Sequence, residues 1–493
     1  MKAILSIDQS TSGTKGLVWD ERGALLARAD VPHRQITNAQ GWVEHDLMEI
    51  YHNTLKAARL ALEKSGVDAR DITVIGISNQ RETAACWDRK TRKPLYNAIV
   101  WQCARAVDVV DSVRQAGLAD EVRKRTGLQL SPYFSAAKFG WMVRRVPEVA
   151  EAKECGTLCC GTIDSWLIYN LTGEFKVDYS NASRTQLLNL RTLGWDAEIA
   201  AAFGLDITCL PKPCDSDSLF GYTDFGGLFP HLVPIHGVMG DSHAALFGNC
   251  CWEPGTAKAT YGTGSSVMMN AGKICPEPNE GVAASLAWGM NGSVSYVLEG
   301  NINYTGAVIK WLVDDIALLP DAKSAGRLAE TVENTGGVYL VPAFSGLGAP
   351  YFNNNARAAF LGMNRSTMRA HLVRAAEECI AYQVRDVIEA INCSSGKSIS
   401  VLRVDGGPSK DTFLMQFQAD MLNIPLEISE REELSGFGAA ACAAIGAGLS
   451  DRESFFSVQQ RNQIAPRMSA EHCETLYCGW KKAVATISKE RET

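Results

Sequence analysis

With 493 residues, 46% of them apolar, the chain exceeds what one hydrophobic core organises and predicts two large compact units. Its net charge of −7 comes without a basic block or stripe, which excludes the electrostatic footprint of nucleic-acid binding. The longest small-apolar stretch, GFGAAACAAIGAGL at 436–449, is shorter than the roughly 20 residues that cross a bilayer, so it predicts a buried helix and argues against membrane insertion.

The chain opens MKAILSIDQST, whose apolar run is too short for a signal peptide, and a cytoplasmic protein is expected. The 15 cysteines then read as free thiols of a reducing compartment. The adjacent pairs Cys159–Cys160 and Cys250–Cys251 lack the second pair or histidine cluster that a zinc set needs. The runs AILSID, KGLVW and ALLARADV alternate with a hydroxyl-rich turn at 9–14 and a polar turn at 21–23, which predicts a β-meander. Asp46 stands as a helix N-cap with Glu49 three residues on; an apolar-periodic segment runs to Leu62, and Gly66 ends it. ITVIGIS at 72–78 predicts a strand buried on both faces that leads directly into Asn79, Gln80, Arg81 and Glu82. Polar groups at the C-terminal end of a strand point to a site. TAKATYGTGSSVMMNAG at 256–272 repeats the logic of strand, glycine-hydroxyl turn, strand. A helix from His371 to about Ile391, a strand SVLRVD at 400–405 and the glycine pair Gly406 and Gly407 follow. Both halves thus predict an α/β domain, the two meeting near residue 250 with the site between them.

The turn in SIDQSTSGTKG at 6–16 gathers hydroxyls, a carboxylate and a lysine between two strands. Backbone N–H groups, Thr11, Ser12, Thr14 and Lys15 suit polyphosphate oxygens, and Asp8 suits a magnesium ion held through water. Alone, such a turn is an ordinary hydroxyl-rich hairpin. The second turn, TYGTGSS at 260–266, has the same character, with Gly262 and Gly264 allowing close approach of an anion.

Paired turns of this kind resemble the phosphate hairpins of the actin/hexokinase/Hsp70 superfamily, and RVDGGPSKD at 403–411 resembles its adenosine segment. The longer strings SNQRET at 78, NAIVWQC at 97, YFSAAKFGWMVR at 133, NASRT at 181 and VPAFSGLGAPY at 341 are similar to the FGGY carbohydrate kinases, and among them to the glycerol kinases. Glu377 stands in the second family signature where an apolar residue is usual. The resemblance implies two ribonuclease H-like domains with an interdomain cleft. Residues 1–248 would carry the polyol site, the first phosphate turn and the catalytic aspartate, and 249–493 the ATP or ADP site. It implies ATP-dependent phosphorylation of a terminal hydroxyl of a small polyol, with glycerol first among them, using ATP and Mg²⁺ in a homo-oligomer.

Residue by residue, the resemblance makes Asp241 in VMGDSHAALFG the base that accepts the hydroxyl proton, and with Asp8 a metal-site carboxylate. The same Asp241 reads locally as a helix N-cap. Arg81 and Glu82 would grip vicinal hydroxyls with help from Tyr133, Trp101 would form an aromatic wall, and Ser242 would line the pocket. Thr11, Ser12, Gly13 and Lys15 would hold phosphates with Gly262 and Thr263, and Gly306, Lys310, Gly407 and Asp411 would surround the nucleotide. Lys310 and Asp411 depart from the usual glutamine and asparagine. Ser242 and Ser266 replace a glutamine and a phenylalanine, which predicts a roomier pocket open to a tetritol, pentitol or ketopentose unless His243 turns in. The loop at 225–234 has no Lys or Arg for a bisphosphate effector, and His231 receives no role. The reading from another class, an actin- or Hsp70-like ATPase switch, would not need a hydroxyl-gripping cluster beside the transfer aspartate.

Overall fold

The structure is a computed structural model that describes residues 2–277, 281–457 and 460–488. The predicted meander is present as the antiparallel strands Ala3–Gln9, Gly13–Asp20 and Leu25–Pro32. Ile72–Asn79 and Val233–Gly240 continue the sheet in parallel beyond Ala3–Gln9, and Gly221–Thr223 closes it antiparallel. Every residue of Ala3–Gln9 is buried because helices cover both faces. Successive side chains of a strand point to opposite faces. On Gly13–Asp20 this puts Gly16 against the backbone of Ala57 in helix Leu47–Ser65, and the next residue, Leu17, against Gly436 in helix Leu434–Gly446.

Helix Leu47–Ser65 starts and stops as its sequence predicts. Asp46 Oδ1 accepts from the Met48 and Glu49 amides at 2.8 and 3.2 Å, and Gly66 ends the helix at φ 68°. Glu49 does not reach back to its own cap; it accepts the Arg34 amide at 3.1 Å. Helix Leu434–Gly446 is the predicted small-residue helix, and its lack of bulk lets it lie almost on backbone. A Cβ on Gly438 would sit 1.9 Å from the Ala244 carbonyl oxygen, and one on Gly76 would sit 2.5 Å from that of Ala439.

The second sheet repeats the first. Ser293–Ile302, Ser265–Gly272 and Ala257–Tyr261 are antiparallel; Leu402–Gly406 and Leu426–Ser429 follow in parallel, and Arg461–Ile464 closes antiparallel. One further strand, Ala283–Met290, extends the opposite edge. Helix Arg369–Ser395 covers this sheet, longer at both ends than its apolar period alone indicates. It begins where His371 Nδ1 accepts the Met368 amide at 3.0 Å and ends at Gly396 with φ 63°. The fold is therefore the expected pair of ribonuclease H-like α/β units. None of the 15 cysteines is joined in a disulfide. Among the described residues no helix is long and apolar enough to cross a membrane.

Candidate active site

Three parallel strands end together, and their register sets the site. Asp8 pairs with Ser78, and Ser78 with Met239; in the next row stand Gln9, Asn79 and Gly240. Beyond these ends the chain turns at 10–12, turns again at 80–83 and starts helix Asp241–Gly248. Such strand ends carry the ligands of open α/β sheets. Asp8 accepts from Ser78 Oγ at 2.7 Å and from Lys15 Nζ at 3.3 Å. Lys15 also donates to Glu433 at 2.8 Å. Burial works against the Lys15 ammonium, but the Asp8 and Glu433 carboxylates outweigh it and raise its pKa.

Asp241 is the first residue of its helix, with Gly240 in the cap position, so it is not the N-cap its local sequence suggests. Its Oδ1 accepts the Ser242 amide at 2.6 Å and lies 3.3 Å from Arg81 Nε. The side chain is 35% exposed to the cleft, yet the carboxyl lies deep in the molecule. That burial raises its pKa; the Arg81 guanidinium pulls it back and the Asp8 carboxylate pushes it up again.

The turn after Ile72–Asn79 is strained. The Thr83 amide donates to the Arg81 carbonyl at 2.7 Å across Glu82, which sits at φ 58°, an uncommon conformation for a side chain of this size. The turn sends its two charges to different partners. Arg81 donates through both terminal nitrogens to Glu299, at 2.9 and 2.8 Å, and Glu82 Oε1 accepts from Arg184 Nε at 2.6 Å. Arg184 also lies 3.0 Å from Glu299, and Ser266 Oγ donates to Glu299 Oε1 at 3.0 Å. The four charged side chains are 6% exposed or less. Burial alone would raise the Glu299 pKa, but the Arg184 and Arg81 guanidiniums hold it well below the usual carboxylate range.

Sequence reasoning assigned no role to Arg184 or Glu299. Their signals were the lone charge in the apolar run YVLEG and the arginine of NASRT. They make Arg81 and Glu82 parts of a four-membered ionic lattice. They also explain Ser266, whose hydroxyl contributes to that lattice.

Trp101 and Tyr133 meet edge to face with ring centroids 5.8 Å apart. Trp101 Nε1 donates to Thr11 Oγ1 at 2.9 Å. Among the described residues the Tyr133 hydroxyl has no hydrogen-bond partner, and burial raises its pKa. Lys138 Nζ donates to the carbonyl oxygens of Tyr133 and Phe134, and its burial lowers its pKa to about 7. His243 is fully buried, its Nε2 3.4 Å from Ser285 Oγ.

The second turn is built around helix Gly306–Asp314. The Gly306 and Ala307 amides donate to the carbonyls of Gly262 and Thr263, each at 3.0 Å, and a Cβ on Gly306 would lie 2.5 Å from the Gly262 oxygen. Gly406 adopts φ 98° beside the Tyr261 backbone, while nothing lies within 4 Å of where a Gly407 Cβ would be, an open platform at the strand end. Two expected nucleotide residues are engaged locally. Lys310 pairs along its own helix with Asp314 at 2.6 Å, and Asp411 caps helix Thr412–Leu422 by accepting the Leu414 amide at 3.0 Å. The two halves of the chain touch through Arg81–Glu299 and Lys15–Glu433, so both sheets supply residues to one cleft.

Comparison with known proteins accords with this arrangement. The model of the FGGY family of carbohydrate kinases, N-terminal domain, matches residues 3–248, and that of the C-terminal domain matches 257–447. The chain is 46% identical to glycerol kinase 1 of Thermotoga maritima over 99% of its own length and 100% of that protein's. It is 43% identical to the glycerol kinase of Caldanaerobacter subterraneus subsp. tengcongensis over 100% of its length and 99% of the relative's. The crystal structure of Plasmodium falciparum glycerol kinase with ADP superposes with a TM-score of 0.93 at 34% identity, covering 100% of this chain and 99% of that one. Two family models over most of the chain, together with relatives matched end to end, make this protein a member of the FGGY family of carbohydrate kinases.

Proposed function

We propose that the protein transfers the γ-phosphoryl group of ATP to a terminal hydroxyl of glycerol, giving glycerol 3-phosphate and ADP. The observation that carries this reading is Asp241, a carboxylate set 3.3 Å from Arg81 at the mouth of the ionic lattice and facing Asp8. The end-to-end similarity to glycerol kinases supports glycerol as the polyol.

In this reading residues 1–248 hold the polyol and residues 249–493 the nucleotide. The carbon chain packs on Trp101, while Arg81, Glu82, Tyr133 and Ser242 orient its hydroxyls. The hydroxyl proton passes to Asp241 as the oxygen attacks the γ-phosphorus in line and the bond to the ADP oxygen breaks. Thr11, Ser12, Gly13 and Lys15 face the phosphates from one side and Gly262 and Thr263 from the other, where fixed donors stabilise developing charge. Gly306, Lys310, Gly407 and Asp411 border the remainder of the nucleotide. The Asp8 carboxylate raises the proton affinity of Asp241, and two such neighbouring carboxylates suit a hard cation bound mostly through water and phosphate oxygens, so Asp8 and Asp241 would hold Mg²⁺, which would supply charge neutralisation. Closing the cleft around both substrates limits ATP hydrolysis by water.

A panel of glycerol, tetritols, pentitols and ketopentoses with coupled ADP detection tests the proposal. Glycerol is expected to give the highest kcat/KM. Preference for a longer polyol would favour the second reading, which rests on the small side chains of Ser242 and Ser266. ADP release indifferent to any polyol would sink both.

A further inference from the structure

The hydroxyl of Thr11 joins the two binding functions of the cleft. Its oxygen accepts the Trp101 indole N–H at 2.9 Å, and the Thr11 carbonyl meets His33 Nε2 at 2.8 Å, so this residue of the phosphate turn is held from both sides. Trp101 is tied to the same strand end by a second route. Its amide donates to Thr83 Oγ1 at 3.2 Å, Thr83 Oγ1 donates to Gln80 Oε1 at 2.8 Å, and Gln80 Nε2 donates to Gln9 Oε1 at 3.0 Å. Gln9, Gln80 and Thr83 are at most 1% exposed, so solvent does not compete for these bonds. The indole and the turn thus belong to one closed circuit.

A hydroxyl has one proton and two lone pairs. The Trp101 N–H occupies a lone pair of Thr11, and among the described residues no acceptor takes the Thr11 proton. Accepting one hydrogen bond also strengthens a hydroxyl as a donor. We propose that Trp101 is a positioning residue for the phosphate turn: its indole N–H fixes the Thr11 hydroxyl with the proton free for a phosphate oxygen, so that a polyol packed on Trp101 tightens nucleotide binding. Linkage requires that the nucleotide tighten polyol binding by the same factor. The inference rests on the reading of Trp101 as the polyol wall and of 10–13 as a phosphate turn. It adds a route between them.

Calorimetric titration of a non-hydrolysable ATP analogue, with and without saturating glycerol, measures the coupling. In the parent protein glycerol should lower the nucleotide Kd about fivefold or more, the lower end of ordinary coupling between sites. Trp101→Phe keeps the wall and removes the donor; Thr11→Val keeps the shape and removes the acceptor. Each should bring the factor close to one, Thr11→Ser should retain it, and the double variant should be no worse than either single. Should Trp101→Phe fail to fold, the Thr11 pair carries the same expectation. A factor unchanged in Trp101→Phe or Thr11→Val, losses that add in the double variant, or a parent without coupling would overturn the inference. Failure of the underlying reading looks different: turnover would then survive Asp241→Asn, or glycerol would not bind at all.

Discussion

Glu82 stands at φ 58° because the turn must deliver Arg81 and Glu82 to different partners. The backbone strain persists because the ionic lattice over-determines the turn. A guanidinium removed from that lattice leaves carboxylates buried without compensation. Arg184→Ala is therefore expected to destabilise the fold by about 3–5 kcal/mol, and a lower urea midpoint would show it. Asp241→Asn makes the opposite separation: it should cost at least about 100-fold in turnover, with nucleotide binding nearly unchanged by calorimetry.

Lys138 provides a pH test of burial. Its pKa is about 7 in the folded protein against an ordinary value of 10.5, so between those values the unfolded chain binds the extra proton and stability rises with pH. Lys138→Met should flatten the rise in denaturation midpoint between pH 7 and 10. An equal slope in both proteins would dismiss the burial account.

At the scale of elements, helix Leu434–Gly446 matters most. Its glycines and alanines give little propensity argument for a long-range role, but they let the helix approach Ile72–Asn79, Val233–Gly240 and Asp241–Gly248 at backbone distance. The approach is so close that volume cannot be added. Gly438→Val should cost on the order of 1–3 kcal/mol, read by denaturation, because the new side chain meets the Ala244 carbonyl rather than a movable side chain. The same element delivers Glu433 to Lys15 from its N-terminal end, linking packing to the phosphate turn.

At the scale of the molecule, that helix makes the two halves interdependent. It covers one face of the N-terminal sheet although it lies almost two hundred residues beyond residue 248, and its Phe437 and Ala440 share a core with Ile4, Leu17, Val74 and Met239. A fragment of residues 1–248 should therefore expose that apolar face and aggregate or bind a hydrophobic dye, whereas the full chain stays folded. Cooperative unfolding of the isolated fragment would contradict the packing argument. The meander, the Asp46 cap, both glycine-hydroxyl turns and the small-residue helix were legible in the amino-acid order because each is decided by neighbours a few positions away. The strings around Arg81, Trp101 and Asp241 likewise identified the family. What only the tertiary structure decided is who pairs with whom. Arg81 meets Glu299 across 218 residues, and Glu82 meets Arg184 across 102. A buried charge is tolerable only beside its counter-charge, and that neighbour is chosen by how two sheets and one returning helix pack, which no local pattern encodes.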